Sequence, residues 1–491
     1  MVTPGISQVP ILFIIGLAAT LVIIVGLSIW SGTRTKRNQA KSSLPLVAGV
    51  IMGTLVGGSS TVGTAQLAYN YGMSAWWFTL GGGIACLLLA LVYSRQLRRS
   101  GCPTLVGILR KEFGAAAGMT ASVLSAVGTF INIISQLISA TAVIAVVAPS
   151  LGIRPSLALS ALFMVLYVVF GGTKGAGRVG IVKTALLYVA MMACGVMVLS
   201  MVGGISSFTQ MVRTMDNPDG VRFFSLFARG AGTDAGACLS LILGVLTTQT
   251  YAQGVLSGRT ERDGIGGALL SAFLIPPIGI GGILVGLYMR ANASLYPGLT
   301  AKTALTTFVT AHVPPLLAGI ILGGLFVAVV GTGAGLALGI SSILNNDIVK
   351  RITRKFDDPQ KANILSRVWI VAVLAAACLL SAGSLGDTIL QFAFMSMGLR
   401  GAVVFVPLIC ALWLPGRVDG RFAVWSIVVS PILVLIFGVL DVLPFDSLFL
   451  GILASLAIMA AGLVAGKHGS GRGTDRPKER DAVSRQMERS I

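Results

Sequence analysis

Gly49-Val50-Ile51-Met52-Gly53-Thr54-Leu55-Val56-Gly57-Gly58-Ser59-Ser60-Thr61 decides the reading of this chain. Three glycines four apart put a flat strip on one helix face, where two backbones can approach closely inside a membrane. The strip then runs into a polar, glycine-rich break that frees main-chain carbonyls. Gly331, Gly335 and Gly339, around Thr332, repeat the spacing far downstream. The two stripes are expected to pack against each other and to offer carbonyls and a hydroxyl to a hard cation. Interrupted helices in two halves of one chain are the sequence mark of a secondary transporter's ion site. Tight helix packing alone would explain either stripe taken singly.

Around these stripes the chain is membrane-like throughout. It has 491 residues, 55% of them hydrophobic and 11% charged, with repeated uncharged runs of about twenty residues, enough to cross about 30 Å of hydrocarbon. Spans are expected near 10–31, 44–71, 74–95, 114–148, 155–172, 178–203, 234–250, 264–290, 313–343, 366–383, 386–414, 420–441 and 446–466. The expected fold is an all-α polytopic membrane protein with about 13 transmembrane helices. The net charge of +19 then reports orientation and not a nucleic-acid partner. With the N-terminus outside, 29 of the 36 Lys and Arg fall in cytoplasmic segments, Lys183 among them. The first eight residues carry no basic leader, so the first span reads as an N-out anchor and not a cleaved signal.

Enzyme chemistry finds little support in the sequence. His312 and His468 are its two histidines, and no metalloprotease, nucleophile-elbow or P-loop pattern occurs. The six cysteines stand singly, without metal spacing. Asn292-Ala293-Ser294 is a sequon in an outward loop, and the stretch from Lys467 reads as a solvated basic tail. No cofactor is implied beyond a coupling ion.

Polar residues enter the apolar spans in a pattern. Ser125, Thr129, Asn132, Gln136 and Ser139 share one face of the fourth span. Lipid would not tolerate that face, so it looks at a cavity or at other helices. The seventh span ends in Thr247-Thr248-Gln249-Thr250, a counterpart of Gly57–Thr61 in the second. Five spans followed by five, each set opening with a broken helix, imply a 5+5 inverted repeat. The expected divisions are 1–43 (outward end, first helix and cytoplasmic loop), 44–203 (first repeat), 204–233 (outward loop), 234–414 (second repeat), 415–466 (two further helices) and 467–491 (tail).

These residues resemble the sodium/solute symporter family, which has the leucine-transporter fold. The likeness runs from about residue 8 to 466. It is densest from His312-Val313-Pro314-Pro315 through Gly331-Thr332 to Ser341-Ser342 and Asn346-Asp347. Gly58 with Gly63, Tyr69 and Gly72, Gly171-Gly172 with Lys183, and Gln249 with Gln253 extend it. The resemblance implies a sodium site made by the carbonyls of Gly53, Val56 and Ala328 and the hydroxyl of Thr332. Gly331 stands where many relatives have a serine ligand, and Leu55 where some have an aspartate. The implied site is therefore neutral, has at most about four protein ligands and holds one Na⁺ weakly, with water completing its shell.

The resemblance implies Na⁺-coupled uptake of a small organic solute by alternating access, in the cell inner membrane. Candidate solute-binding residues are Ser59, Ser60, Thr61, Gln66, Asn132, Gln136, Thr248, Gln249 and Arg400. Arg400 sits mid-span with no carboxylate at its depth, so its partner is backbone, cavity water or an anionic solute such as a carboxylate or amino acid. A transporter-fold sensor, a proton-coupled symporter and a passive channel are the alternatives. The partners expected are the solute, Na⁺ and the bilayer, and no nucleic acid.

Overall fold

The structure is a computed structural model that describes residues 10–34, 42–171, 176–216, 220–349, 359–383, 389–440 and 442–469. Residues 172–175, Asp387, Asp441 and most of the basic tail lie outside these. The described chain is helical almost throughout. In order the helices are α1 (Ile11–Arg34), α2 (Leu44–Leu55), α3 (Thr64–Tyr71), α4 (Trp77–Leu88), α5 (Ser94–Arg99), α6 (Leu105–Phe113), α7 (Ala115–Val147), α8 (Ile153–Gly171), α9 (Ala176–Val202) and α10 (Ile205–Arg213). They continue as α11 (Ala231–Thr247), α12 (Gln249–Leu256), α13 (Glu261–Ala291), α14 (Ala304–His312), α15 (Pro315–Ile343), α16 (Pro359–Gly383), α17 (Ile389–Trp413), α18 (Gly420–Leu440) and α19 (Ser447–Gly469).

Among the described residues, length and composition alone qualify nine helical stretches as membrane spans, one of them the run Ser59–Arg99 that includes α3, α4 and α5, or ten if the bent pair α11–α12 is one span. Three shorter apolar helices, Ile11–Ile23, Leu44–Leu55 and Ile153–Val168, fall where further crossings were expected, so the count of thirteen is not reached by this criterion. At 33 residues, α7 is about 50 Å long and exceeds the hydrocarbon thickness. Its middle is buried on nearly all sides, as a central helix must be when its polar face is shielded from lipid.

Both expected helix breaks are present. After α2 the backbone is extended at Val56 (φ −83°, ψ 102°) and resumes as a π-helical turn over Ser59–Gly63. Side chains hold this turn open: Ser60 Oγ and Thr61 Oγ1 donate to the Gly57 carbonyl at 3.1 and 2.7 Å, and Gly57 N donates to Ser60 Oγ. Hydroxyls that satisfy main-chain groups in this way compete with the regular ladder. The second break differs from expectation. The span does not end at Thr250; it bends by 52° at Thr248 and continues as α12 to Leu256.

The glycine stripes do not pack on each other as expected. Gly49 and Gly53 of α2 face Gly180 of α9. A Cβ on Gly53 would lie 2.8 Å from Gly180 Cα, and one on Gly180 would lie 2.5 Å from Gly49 O. The α2 and α15 stripes meet at one level, where a Cβ on Gly57 would stand 3.1 Å from Thr332 Oγ1. Gly335 and Gly339 face no described atom within 4 Å. The physical reason is that a small-residue strip specifies close approach but not the partner, and Gly180 is the small residue that fits.

The segment before α11 is clamped onto the bundle. Gly72 has φ +59°, a conformation that glycine alone adopts freely, and its Cα packs on the Phe223 carbonyl, which accepts from Met73 N at 2.7 Å. Beside it Asp234, fully buried, is ion-paired with Arg229 at 2.6 Å and accepts from Ser74 Oγ at 2.6 Å and Arg229 N at 3.0 Å. The Arg229 guanidinium also lies 5.4 Å from the centre of the Phe394 ring, within cation–π range.

Candidate functional site

The close crossing of α2 and α9 carries a charge into the bundle. Lys183, one turn after Gly180, points back along α9 to the end of α2. Its ammonium donates to Gly53 O at 2.8 Å, Thr332 Oγ1 at 2.9 Å and Ala328 O at 3.3 Å. Thr332 Oγ1 in turn donates to Ala328 O at 2.8 Å. Three of the four expected sodium ligands thus converge on one point, and a cation stands there. Val56, the fourth, is fully buried and sits in the extended break directly after α2. Lys183 is 6% exposed. It belongs to the bundle and not to the cytoplasmic loop expected there, because it stands about two turns into α9, where the close crossing buries its side chain. Gly331, in place of a serine, leaves room for Tyr167, whose ring carbon Cζ would be 3.2 Å from a Cβ there.

The polar face of α7 forms the second part of the site. Gln136 accepts from Gly58 N at 3.2 Å, and its amide donates to Ser59 Oγ at 3.3 Å and Asn132 Oδ1 at 3.4 Å. Ser59 Oγ also lies 2.9 Å from Ser135 Oγ. Ser135 was absent from the expected set, since it stands one position off the face that was counted, yet it donates to Ile389 O at 3.1 Å and ties α7 to α17. Ser139 abuts Gly58. Thr129 returns its hydroxyl to Ser125 O, within its own helix.

Lower on the same face, one turn from Asn132, Gly128 meets Arg400 of α17. The Gly128 carbonyl accepts from Ser396 Oγ at 2.6 Å, and a Cβ on Gly128 would lie 2.8 Å from Arg400 Cγ. Arg400 is 3% exposed. Its guanidinium donates to Thr248 Oγ1 at 2.9 Å, Ser396 O at 3.2 Å, Ser396 Oγ at 3.1 Å and Met397 Sδ at 3.1 Å. Among the described residues no carboxylate pairs with it. Thr248 is the break of the seventh span, and its hydroxyl donates to Gly244 O at 2.5 Å. So α7 runs from one helix break to the other, touching the first through Gln136 and the second through Arg400.

The remaining candidates are engaged elsewhere. Ser60 and Thr61 serve the π-turn. Gln66 accepts from Ile389 N at 2.8 Å and caps α17. Gln249 turns away from the cluster: it accepts from Leu105 N at 2.8 Å and donates to Pro103 O at 3.2 Å, holding the loop before α6. An apolar cavity of about 230 Å³ opens beside α7 and α15, lined by Val123, Ala126, Val127, Phe130, Ile340 and Ile343.

Beside the two broken helices and the polar central helix, Lys183 joins α9 to α2 and α15, and the chain matches a family on sequence. The model of the sodium:solute symporter family covers residues 44–430. The chain belongs to that family. This symporter is 22% identical over 453 residues to the high-affinity choline transporter 1 of Caenorhabditis elegans, covering 82% of this chain and 74% of that protein. It is 25% identical over 347 residues to the uncharacterized symporter YwcA of Bacillus subtilis (strain 168), covering 67% and 66% of the two chains. Its fold is similar to that of a Na⁺-coupled sialic acid symporter in a substrate-bound, outward-open state, with a TM-score of 0.74, 19% identity and coverage of 94% and 99%. A nucleobase-cation-symport-1 family transporter matches with a TM-score of 0.52, 12% identity and coverage of 90% and 96%. The symporter is accordingly a multi-pass membrane protein of a transporter family, working by Na⁺-coupled movement of a solute.

Proposed function

We propose that this symporter takes up a small organic anion or amino acid across the cell inner membrane, with its N-terminus outside and its C-terminus in the cytoplasm. Na⁺ binds at Gly53, Val56, Ala328 and Thr332. The solute binds between the two helix breaks, against Ser59, Asn132, Gln136, Thr248 and Arg400. The observation that carries the reading is the convergence of Gly53 O, Ala328 O and Thr332 Oγ1 on one positive charge. Such a set of neutral oxygens at a helix break is what a cation requires. Coupling follows if Na⁺ joins α2 to α15 more favourably in the substrate-ready state than in the other, since equal binding to both would shift nothing. An inside-negative potential adds about 2.3 kcal/mol per charge per 100 mV toward uptake.

An anionic solute is favoured by Arg400, a buried guanidinium whose described partners are all neutral. A buried charge without a counter-ion is costly and is retained in membrane spans for function. The experiment is a thermal-shift screen of the purified protein against organic anions, amino acids, sugars and polyols, with and without Na⁺. Carboxylate solutes should stabilise it. Arg400→Lys keeps the charge and loses the planar fork, so solute affinity should fall about tenfold or more while the protein still folds. Stabilisation by neutral sugars alone, or unchanged affinity in Arg400→Lys, contradicts the solute class.

A further inference from the structure

The place that the family resemblance gives to Na⁺ is held by a cation of the chain itself. Lys183 brings three N–H donors to three acceptors, at 2.8, 2.9 and 3.3 Å, and all three acceptors are neutral. An ammonium needs no more than three partners to be satisfied. The side chain is buried, and Gly180 against Gly49 and Gly53 fixes the helix that carries it. We propose that the Lys183 ammonium and Na⁺ are alternative occupants of one site, so that Na⁺ enters only as the lysine withdraws from Gly53, Ala328 and Thr332. The proposal rests on the reading of those residues as the sodium site.

Two like charges sharing one ligand set in a low-dielectric interior exclude each other. The lysine therefore acts as a tethered stand-in: without Na⁺ it bridges α2, α9 and α15, and with Na⁺ those bonds are exchanged for ion–oxygen contacts. Na⁺ binds only by the surplus of its own contacts over those of the ammonium. The apparent affinity for Na⁺ is set by Lys183 as much as by the ligands, and a neutral residue at 183 unmasks the intrinsic affinity.

The test follows the melting temperature of purified full-length protein as NaCl replaces N-methylglucamine chloride at constant ionic strength, because a ligand of the folded state stabilises it by mass action. In Lys183→Met the stabilisation should reach half its maximum at a Na⁺ concentration at least about tenfold below that of wild type. Lys183→Gln, which keeps a donor toward Gly53, reads the same quantity should Lys183→Met fail to fold. Adding Thr332→Ala to the neutral variant removes a ligand with no ammonium competing and should shift the response back to higher Na⁺. A neutral variant that responds to Na⁺ no more strongly than wild type overturns the competition. If Thr332→Ala then still weakens the response, the sodium site stands and the competition alone is wrong. If Thr332→Ala changes nothing, the ion binds elsewhere and the site reading itself fails.

Discussion

Gly53→Leu should reduce transport to background. The position offers no space: even a methyl group would stand 2.8 Å from Gly180 Cα, and the neighbour is backbone, which moves only if α9 moves. A leucine must therefore separate α2 from α9. Separation lifts Lys183 from Gly53 O, breaks the meeting of α2, α9 and α15, and removes the proposed cation site. Overpacking of a core costs about 1–3 kcal/mol even where side chains can yield; here they cannot, and folded yield should fall as well. Gly335→Leu is the control, since a Cβ there meets no described atom within 4 Å, and it should leave folded yield near wild type. Size-exclusion profiles in detergent and uptake in proteoliposomes measure both. Near-normal uptake by Gly53→Leu would show that the crossing does not hold the site.

Asp234→Asn should lower the melting temperature more than any single hydroxyl removal in the bundle. The carboxylate is fully buried at the start of α11 and gathers Ser74 Oγ, Arg229 N and the Arg229 guanidinium. Its place in the first helical turn adds a favourable interaction with the helix dipole. Removing one member of a buried pair strands the other and costs about 3–5 kcal/mol. Arg229, whose side chain is 14% exposed, retains some contact with solvent and holds the loss to the lower end. Asp234→Asn combined with Arg229→Met should recover part of the loss, because the stranded charge is gone. An unchanged melting temperature in Asp234→Asn would mean that the pair does not fasten the 220–234 segment to the bundle.

The membrane spans and both helix breaks were legible because each rests on local chemistry. Long uncharged runs have no soluble use, and Gly57–Thr61 and Thr247–Thr250 interrupt apolar helices with groups that compete for the backbone. The α7 face was legible from its helical period: Gln136 meets Ser59 and Gly58, and Asn132 accepts from Gln136 on the same face. What sequence hid was pairing. The Gly49–Gly53 strip announced a close neighbour, but nothing local distinguished Gly180 from Gly335. Lys183 stood near a basic loop and so passed for a topology marker; only the crossing of α2 and α9 sends its ammonium to Gly53 and Thr332. Gln249 looked like a solute ligand because it adjoins the break, yet the bend at Thr248 turns it toward Pro103 and Leu105. Ser135 and Ser396 carry bonds to neighbouring helices that no single-helix period reveals.

The proposed Na⁺ site at the junction of α2, α9 and α15 should couple solute movement to Na⁺. Its most direct test is uptake of a solute identified by thermal shift, by proteoliposomes holding an inward Na⁺ gradient at equal pH on both sides. The solute should accumulate above its equilibrium level, and the accumulation should collapse when the Na⁺ gradient is dissipated. Uptake indifferent to Na⁺ and driven by a pH gradient would contradict it.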